Sequence, residues 1–270
     1  MISRILILLI AATLNVAYGG SEPTTAEEKK AEGDRLLREM SKTVAGMKTM
    51  SFTAEVVSDK VDSGGQKAQR HVVQHVVVRR PNAFTIRTEE DQGMNAWYDG
   101  KELTLVSDAE KVWARGPVPP TLDKAMDYVA DTYDLKLAWG DLLYSSPYEA
   151  LTHTDTAGGW VGEETIEGTE CDHLSYQEPV VDWQIWVTRA GHRPKQLQIT
   201  YKLDPGQPVT LVTFRDLELS PSIDKSTFMA KVPKGYAKIP LVRHSDETEA
   251  PDETEKGSSP AAPAPAPAGQ

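Results

Sequence analysis

The sequence predicts an α+β protein, in which one leading helix and one helical insertion serve an antiparallel sheet of about eleven strands. Three observations carry this. Apolar residues recur at spacings of four and three up to Met47, the period changes to two from Ser51, and prolines and glycines interrupt the strands between Pro117 and Gly159. Helices that are segregated from the strands, rather than alternating with them, mark the α+β class.

The chain opens with Arg4, then an apolar run from Ile5 to Leu14 broken only by Thr13, then Ala17-Tyr18-Gly19. A positive start, a short apolar stretch and small residues ahead of a cleavage point make an export signal over residues 1–19. The run falls short of the ~20 apolar residues of a permanent span. No later stretch approaches that length, so no transmembrane anchor is expected. Residues 20–244 are expected to form a single domain, soluble in the periplasm.

Thr25-Ala26-Glu27-Glu28 forms a capping box, in which a hydroxyl and a carboxylate three residues apart satisfy two free amides. The helix behind it places Gly33, Leu37, Met40, Val44 and Met47 on one stripe, with Gly46 at its end. Strands follow over Ser51–Asp59, Gln69–Arg79, Phe84–Glu89, Asn95–Tyr98, Glu102–Val106 and Lys111–Arg115. Asp62-Ser63-Gly64-Gly65 turns the first pair, and Asp99-Gly100 is the strongest hairpin signal. Short connections make the order a meander.

Pro117, Pro119 and Pro120 stop the sheet, and an insertion of about residues 121–153 begins. Thr121 caps a helix with Leu122, Met126, Val129 and Tyr133 on one face, and Asp141–Tyr144 and Pro147–Leu151 are shorter helical pieces. Five more strands run over Trp160–Thr165, Cys171–Gln177, Trp183–Thr188, Lys195–Leu203 and Val209–Leu219, turned at Glu167-Gly168, Gly191 and Pro205-Gly206. Residues 245–270, acidic and then Ala-Pro-rich, bury nothing and form a disordered tail.

Composition excludes several functions. With 29 Lys and Arg against 40 Asp and Glu, a net charge of -11, the chain lacks the basic stripe a nucleic acid needs. A lone cysteine excludes an internal disulfide framework and a Cys-rich zinc site. His71 and His75 share a strand face ~13 Å apart, too far to hold one ion, so no metal or other cofactor is expected. Cys171 and His173 share a face at ~6.6 Å, with no orienting partner in view, and a buried cysteine usually behaves as a small hydrophobe. Nucleotide and serine-hydrolase motifs are absent, so no catalytic residue is assigned and the chain is expected not to be an enzyme. Aromatic residues are plentiful, and Trp183 and Trp186, three apart on one strand, must face opposite sides of the sheet.

Several stretches resemble the LolA/LolB-like outer-membrane lipoprotein carriers: Arg80-Pro81-Asn82-Ala83-Phe84 at a strand start, Asp99-Gly100-Lys101-Glu102-Leu103 at a hairpin, and Phe228 to Gly235 at a closing turn. Trp97 to Lys101, Asp141 to Ser145 with Pro147 to Leu151, and Asp182 to Trp186 are closer still to the predicted periplasmic proteins of the domain-of-unknown-function 2092 family. The resemblance spans about residues 34–240. It implies an unclosed, strongly curved half-barrel whose concave face is covered by helices and takes a lipid, an acyl chain or a lipoprotein. It also implies that Arg80 hydrogen-bonds the insertion, which makes Arg80, Leu122, Met126, Val129 and Tyr133 the candidate ligand-binding lid and rim. The second strand, with His71, Gln74, His75 and Arg79, is more polar than an acyl-binding wall. The rival expectation is a protein-interaction or sensor module that uses the same sheet with an envelope partner and no lipid.

Overall fold

The computed structural model describes residues 22–89, 93–153 and 155–243. The export signal, the Ala-Pro tail, and Glu90 and Asp91 of an acidic run lie outside the described residues.

Helix α1 (Ala26–Ala45) starts where expected, with the Thr25 hydroxyl accepting from the Glu28 amide and the Glu28 carboxylate accepting in return. Its buried face is Gly33, Leu36, Leu37, Met40, Ser41 and Val44. The first meander comprises β1 (Thr49–Val61), β2 (Lys67–Arg79), β3 (Ala83–Thr88), β4 (Met94–Tyr98), β5 (Glu102–Ser107) and β6 (Val112–Pro117). The insertion holds α2 (Leu122–Tyr133), a 3-10 turn (Gly140–Leu143) and α3 (Pro147–Leu151). The second meander is β7 (Ala157–Ile166), β8 (Thr169–Gln177), β9 (Val181–Thr188), β10 (Pro194–Tyr201) and β11 (Val209–Leu219).

These strands and a short β12 (Ala237–Lys238) join one open sheet, in the order β12-β6-β5-β4-β3-β2-β1-β11-β10-β9-β8-β7. The two meanders meet at a single long-range seam, where β1 pairs antiparallel with β11 and Ala54 lies opposite Phe214. The eleven antiparallel strands thus stand as the sequence predicts, with ends displaced by a few residues. A twelfth, β12 (Ala237–Lys238), runs parallel to β6 and makes the sheet mixed. Two residues carry no periodicity, so no sequence signal marks it.

The apolar side of the sheet and the helices enclose one core, in which Leu37, Met40, Ala54, Leu143, Ile185 and Val212 are fully buried. Helix α1 packs on β7 at very close range. A Cβ on Gly33 would lie 2.6 Å from the Gly159 Cα, and Gly159 itself has φ +159. Both glycines exist for this approach.

Two motifs that are distant in sequence also meet. Gly100 in the β4–β5 turn has φ +95, and a Cβ there would lie 2.6 Å from the Asn82 amide nitrogen. The Arg-Pro-Asn and Asp-Gly-Lys stretches are therefore two sides of one contact.

The opposite face of the sheet is covered too. Trp183 lies in the core, stacked on Tyr176 with ring centroids 4.3 Å apart. Trp186 faces away, stacked on His173 at 4.4 Å, with its indole N–H donating to Glu164 at 2.8 Å. Over the first meander the cover is the chain itself. After β11 it crosses the back of the sheet, where Thr85 Oγ1 donates to the Thr227 carbonyl, Phe228 is buried under Arg79, and Tyr236 donates to Asp108 before β12 forms.

Candidate functional site

Helix α2 begins at Thr121, whose hydroxyl accepts from the Lys124 amide, and buries Leu122, Ala125, Met126 and Val129. Its other side is fastened to the rest of the insertion. Asp123 accepts from the Ser145 amide at 2.9 Å and from its hydroxyl, and Asp127 accepts from the Tyr144 hydroxyl at 2.7 Å. The insertion is thereby a tied unit rather than three loose pieces.

Arg80 ties that unit to the sheet. It stands at the end of β2, ahead of a cis peptide to Pro81, and donates from Nη2 to the Leu142 carbonyl at 2.9 Å and from Nη1 to the Leu143 carbonyl. Those are carbonyls at the end of a 3-10 turn, which have no helical donor of their own. Burial lowers the Arg80 pKa, and the nearby Asp123 opposes the shift.

After α2 ends in the left-handed Asp134, the chain turns back into the concavity. Trp139 reaches the floor and is 1% exposed, with Nε1 donating to Gln74 Oε1 at 3.0 Å and its ring edge-on to Phe52 at 5.3 Å. A buried indole requires such an acceptor, and Gln74 on β2 supplies it.

This crossing divides the concavity into two lobes. One, of about 430 Å³, lies between β1–β5 and α2, walled by residues such as Val56, Val72, Phe84, Ile86 and Val129, with Arg70 among its polar groups. The other, of about 370 Å³, lies over β9 and β10, walled by Leu151, Val181, Trp183, Leu197 and Ile199. Met126, Leu135, Lys136, Leu137, Ala138 and Tyr201 line both. Each volume falls in the range of small-molecule pockets, ~300–1,000 Å³.

The second lobe holds the acidic groups. Burial, with Glu178 close by, raises the Asp141 carboxyl to about 6, and His153 opposes the shift. Glu178 is held by Trp183 Nε1 at 3.1 Å, Thr156 Oγ1 at 2.9 Å and His153 Nδ1 at 3.3 Å.

The candidate residues from sequence separate. Met126 and Val129 line the first lobe, and Met126 reaches the second as well. Leu122 is 1% exposed in the core. Tyr133 is half-buried edge-on to Tyr128, with its hydroxyl near Gly116. Arg80 holds the insertion rather than forming a wall. The sequence reasoning passed over Trp139, and it placed Asp141 on a helical piece without assigning it a role. The available signal was an ionisable residue next to the apolar pair Leu142-Leu143.

The nucleophile candidates gain no chemistry. Both ring nitrogens of His173 are engaged, with Glu164 at 2.9 Å and Gln184 at 2.8 Å, and the Cys171 thiol is fully buried, with its pKa raised by burial. His75 bonds Glu89 at 2.6 Å and Thr53 at 3.1 Å. Among the described residues no three such side chains gather where they could hold a metal ion, and no helix is long and apolar enough to cross a membrane.

Comparison with known proteins places this geometry in context. The model of a family described as predicted periplasmic protein (DUF2092) matches residues 33–242. No curated protein matches the sequence. Among solved structures, LprF from Mycobacterium bovis is similar at 10% identity over 77% of this chain and 99% of its own, with a TM-score of 0.42. A LolA superfamily protein from Nitrosomonas europaea is similar at 11% identity over 74% and 98%, with a TM-score of 0.35. The MucA/MucB complex of Pseudomonas aeruginosa contains a chain similar at 13% identity over 74% and 61%, with a TM-score of 0.34.

Proposed function

The chain belongs to the DUF2092 family of predicted periplasmic proteins, and from that premise we propose that it binds a lipid, an acyl chain or the acylated part of a lipoprotein between sheet and insertion, as a carrier or chaperone and without catalysis. The observation that carries this is the two-lobed apolar space beneath α2. An open sheet with an amphipathic insertion normally fills its concavity with side chains, at the density of a close-packed interior. Here the insertion leaves space on both sides of the segment from Leu135 to Ala138, and the walls are largely aliphatic and aromatic. Such walls favour a hydrocarbon chain at ~0.8 kcal/mol per buried CH₂. Arg80, Leu122 and Tyr133 hold the insertion in place in this scheme, while Met126 and Val129 touch the ligand.

The test is native mass spectrometry of the purified periplasmic protein for bound species, followed by titration with a fluorescent fatty acyl probe. Saturable uptake that is displaced by unlabelled chains supports the proposal. A dry protein with no uptake, recovered with one stoichiometric envelope partner, would replace it with an interaction module on the same sheet.

A further inference from the structure

We propose that the lobe over β9 and β10 seats a cationic headgroup, so that the ligand is an amphiphile carrying a primary ammonium beside Asp141, with its hydrocarbon chain along the apolar walls. This rests on the function proposed above and names the chemical class of its ligand. Asp141 and Glu178 both line this lobe, and Trp183, Leu197 and Ile199 form the wall beside them. Among the described residues, the Asp141 carboxylate accepts no hydrogen bond and forms no ion pair.

The surrounding charges do not neutralise it. Glu178 adds a second carboxylate, satisfied by the neutral donors Trp183 and Thr156. His153, on the segment before β7, is engaged with that same Glu178 at 3.3 Å. Lys202 donates to the Glu178 carbonyl at 2.6 Å and is paired with Asp182 at 2.9 Å. Lys136, on the dividing segment, is paired with Asp134 at 2.7 Å. Tyr144 and Tyr201 are uncharged, since burial raises both phenols. A partly buried carboxylate without a partner is costly in its ionised form, and a ligand ammonium supplies the missing donor and countercharge together. The other lobe offers the opposite polarity at Arg70, so an anionic headgroup would choose that lobe.

The experiment compares three ten-carbon chains, the primary amine, the alcohol and the carboxylic acid, as competitors of a bound fluorescent acyl probe. In the unaltered protein the amine should bind more tightly than the alcohol by about tenfold, the ratio one charge-assisted hydrogen bond supplies. Asp141→Asn should abolish that preference. A second measurement uses the unaltered protein and does not depend on the folding of the variant. Its amine preference should decline from pH 7.5 to pH 5 as Asp141 gains its proton, and that slope should vanish in Asp141→Asn. Equal affinity for amine and alcohol, a preference that survives Asp141→Asn, or a preference for the acid would each overturn the inference while leaving chain binding intact. Failure of all three chains to compete would instead remove the underlying function.

Discussion

Replacing Arg80 with methionine tests whether the insertion is fastened to the sheet by one side chain. The substitution keeps much of the aliphatic volume and removes the guanidinium that donates to the Leu142 and Leu143 carbonyls. Hydrogen bonds from a charged donor contribute ~1.5–3 kcal/mol each, so the gross loss is ~3–6 kcal/mol. Relief of the guanidinium's desolvation, visible in its lowered pKa, offsets part of this. The two carbonyls then lack a donor beside Leu142 and Leu143, which are 2% and 0% exposed. A net destabilisation of ~2–4 kcal/mol follows, and at roughly 2–4 °C per kcal/mol that is a Tm lower by ~5–15 °C. Hydrogen exchange followed by mass spectrometry should show the loss first over residues 122–151, with the β1–β2 amides still protected. A variant that melts with the unaltered protein and shows no faster exchange in the insertion would refute the tether.

Met126→Asp places a charge where both lobes meet. If α2 is a gate, the insertion becomes protease-sensitive while the sheet melts separately. Cooperative loss of the whole fold would show that α2 is only core, since an unpaired buried charge costs several kcal/mol. Gly33→Ala sets two effects against each other: alanine favours the helix by ~1 kcal/mol, whereas overpacking costs ~1–3 kcal/mol. Because the added Cβ meets the Gly159 backbone at 2.6 Å, which cannot swing aside, the clash wins. Denaturant titration should show a less stable protein, and a gain in stability would sink the close approach. Asp141 has a folded pKa raised to about 6 from 3.8, so its contribution to stability is complete below pH 3.8 and fades as pH rises through 6. Asp141→Asn should therefore melt higher than the unaltered protein at pH 7.5 and lose that advantage at pH 4. Cys171 should resist a maleimide in the folded protein and react on unfolding, and Cys171→Ala should leave ligand uptake unchanged; rapid labelling of the native thiol would contradict its burial.

The strands were legible because alternation and turn chemistry are local. Asp99-Gly100 turns the chain where expected, with the Asp99 carboxylate accepting from the Lys101 and Glu102 amides, both at 2.9 Å. The capping box and the α2 stripe are equally local. What the sequence concealed depends on residues far apart. The two-residue β12 is defined by its partner β6. Trp139 anchors the dividing segment on the floor because Gln74, on another element, offers its indole an acceptor. The prominence of Asp141 comes from what surrounds it, whereas Arg80 was recognised from its place in a motif. The opposite facing of Trp183 and Trp186 followed from strand parity alone, but the stacking of Trp186 on His173 depended on the neighbouring strand.

Each half of the sheet wears the other half's covering. The N-terminal helix α1 lies on β7 of the second meander and on α3 of the insertion, while the segment after β11 lies across β3 and reaches β6 of the first. Neither meander is therefore a free-standing module, although each is contiguous in sequence and pairs only with its own neighbours apart from the β1–β11 seam and the β6–β12 pair. A fragment covering residues 22–153 would keep six strands but leave α1 without its sheet and the back of β3 bare. Its complement would keep the strap and lose the surface on which it rests. Division of this chain within the insertion yields two pieces that are complete in hydrogen bonding over most of their strands yet apolar on the wrong sides, and they become soluble partners only when they find one another.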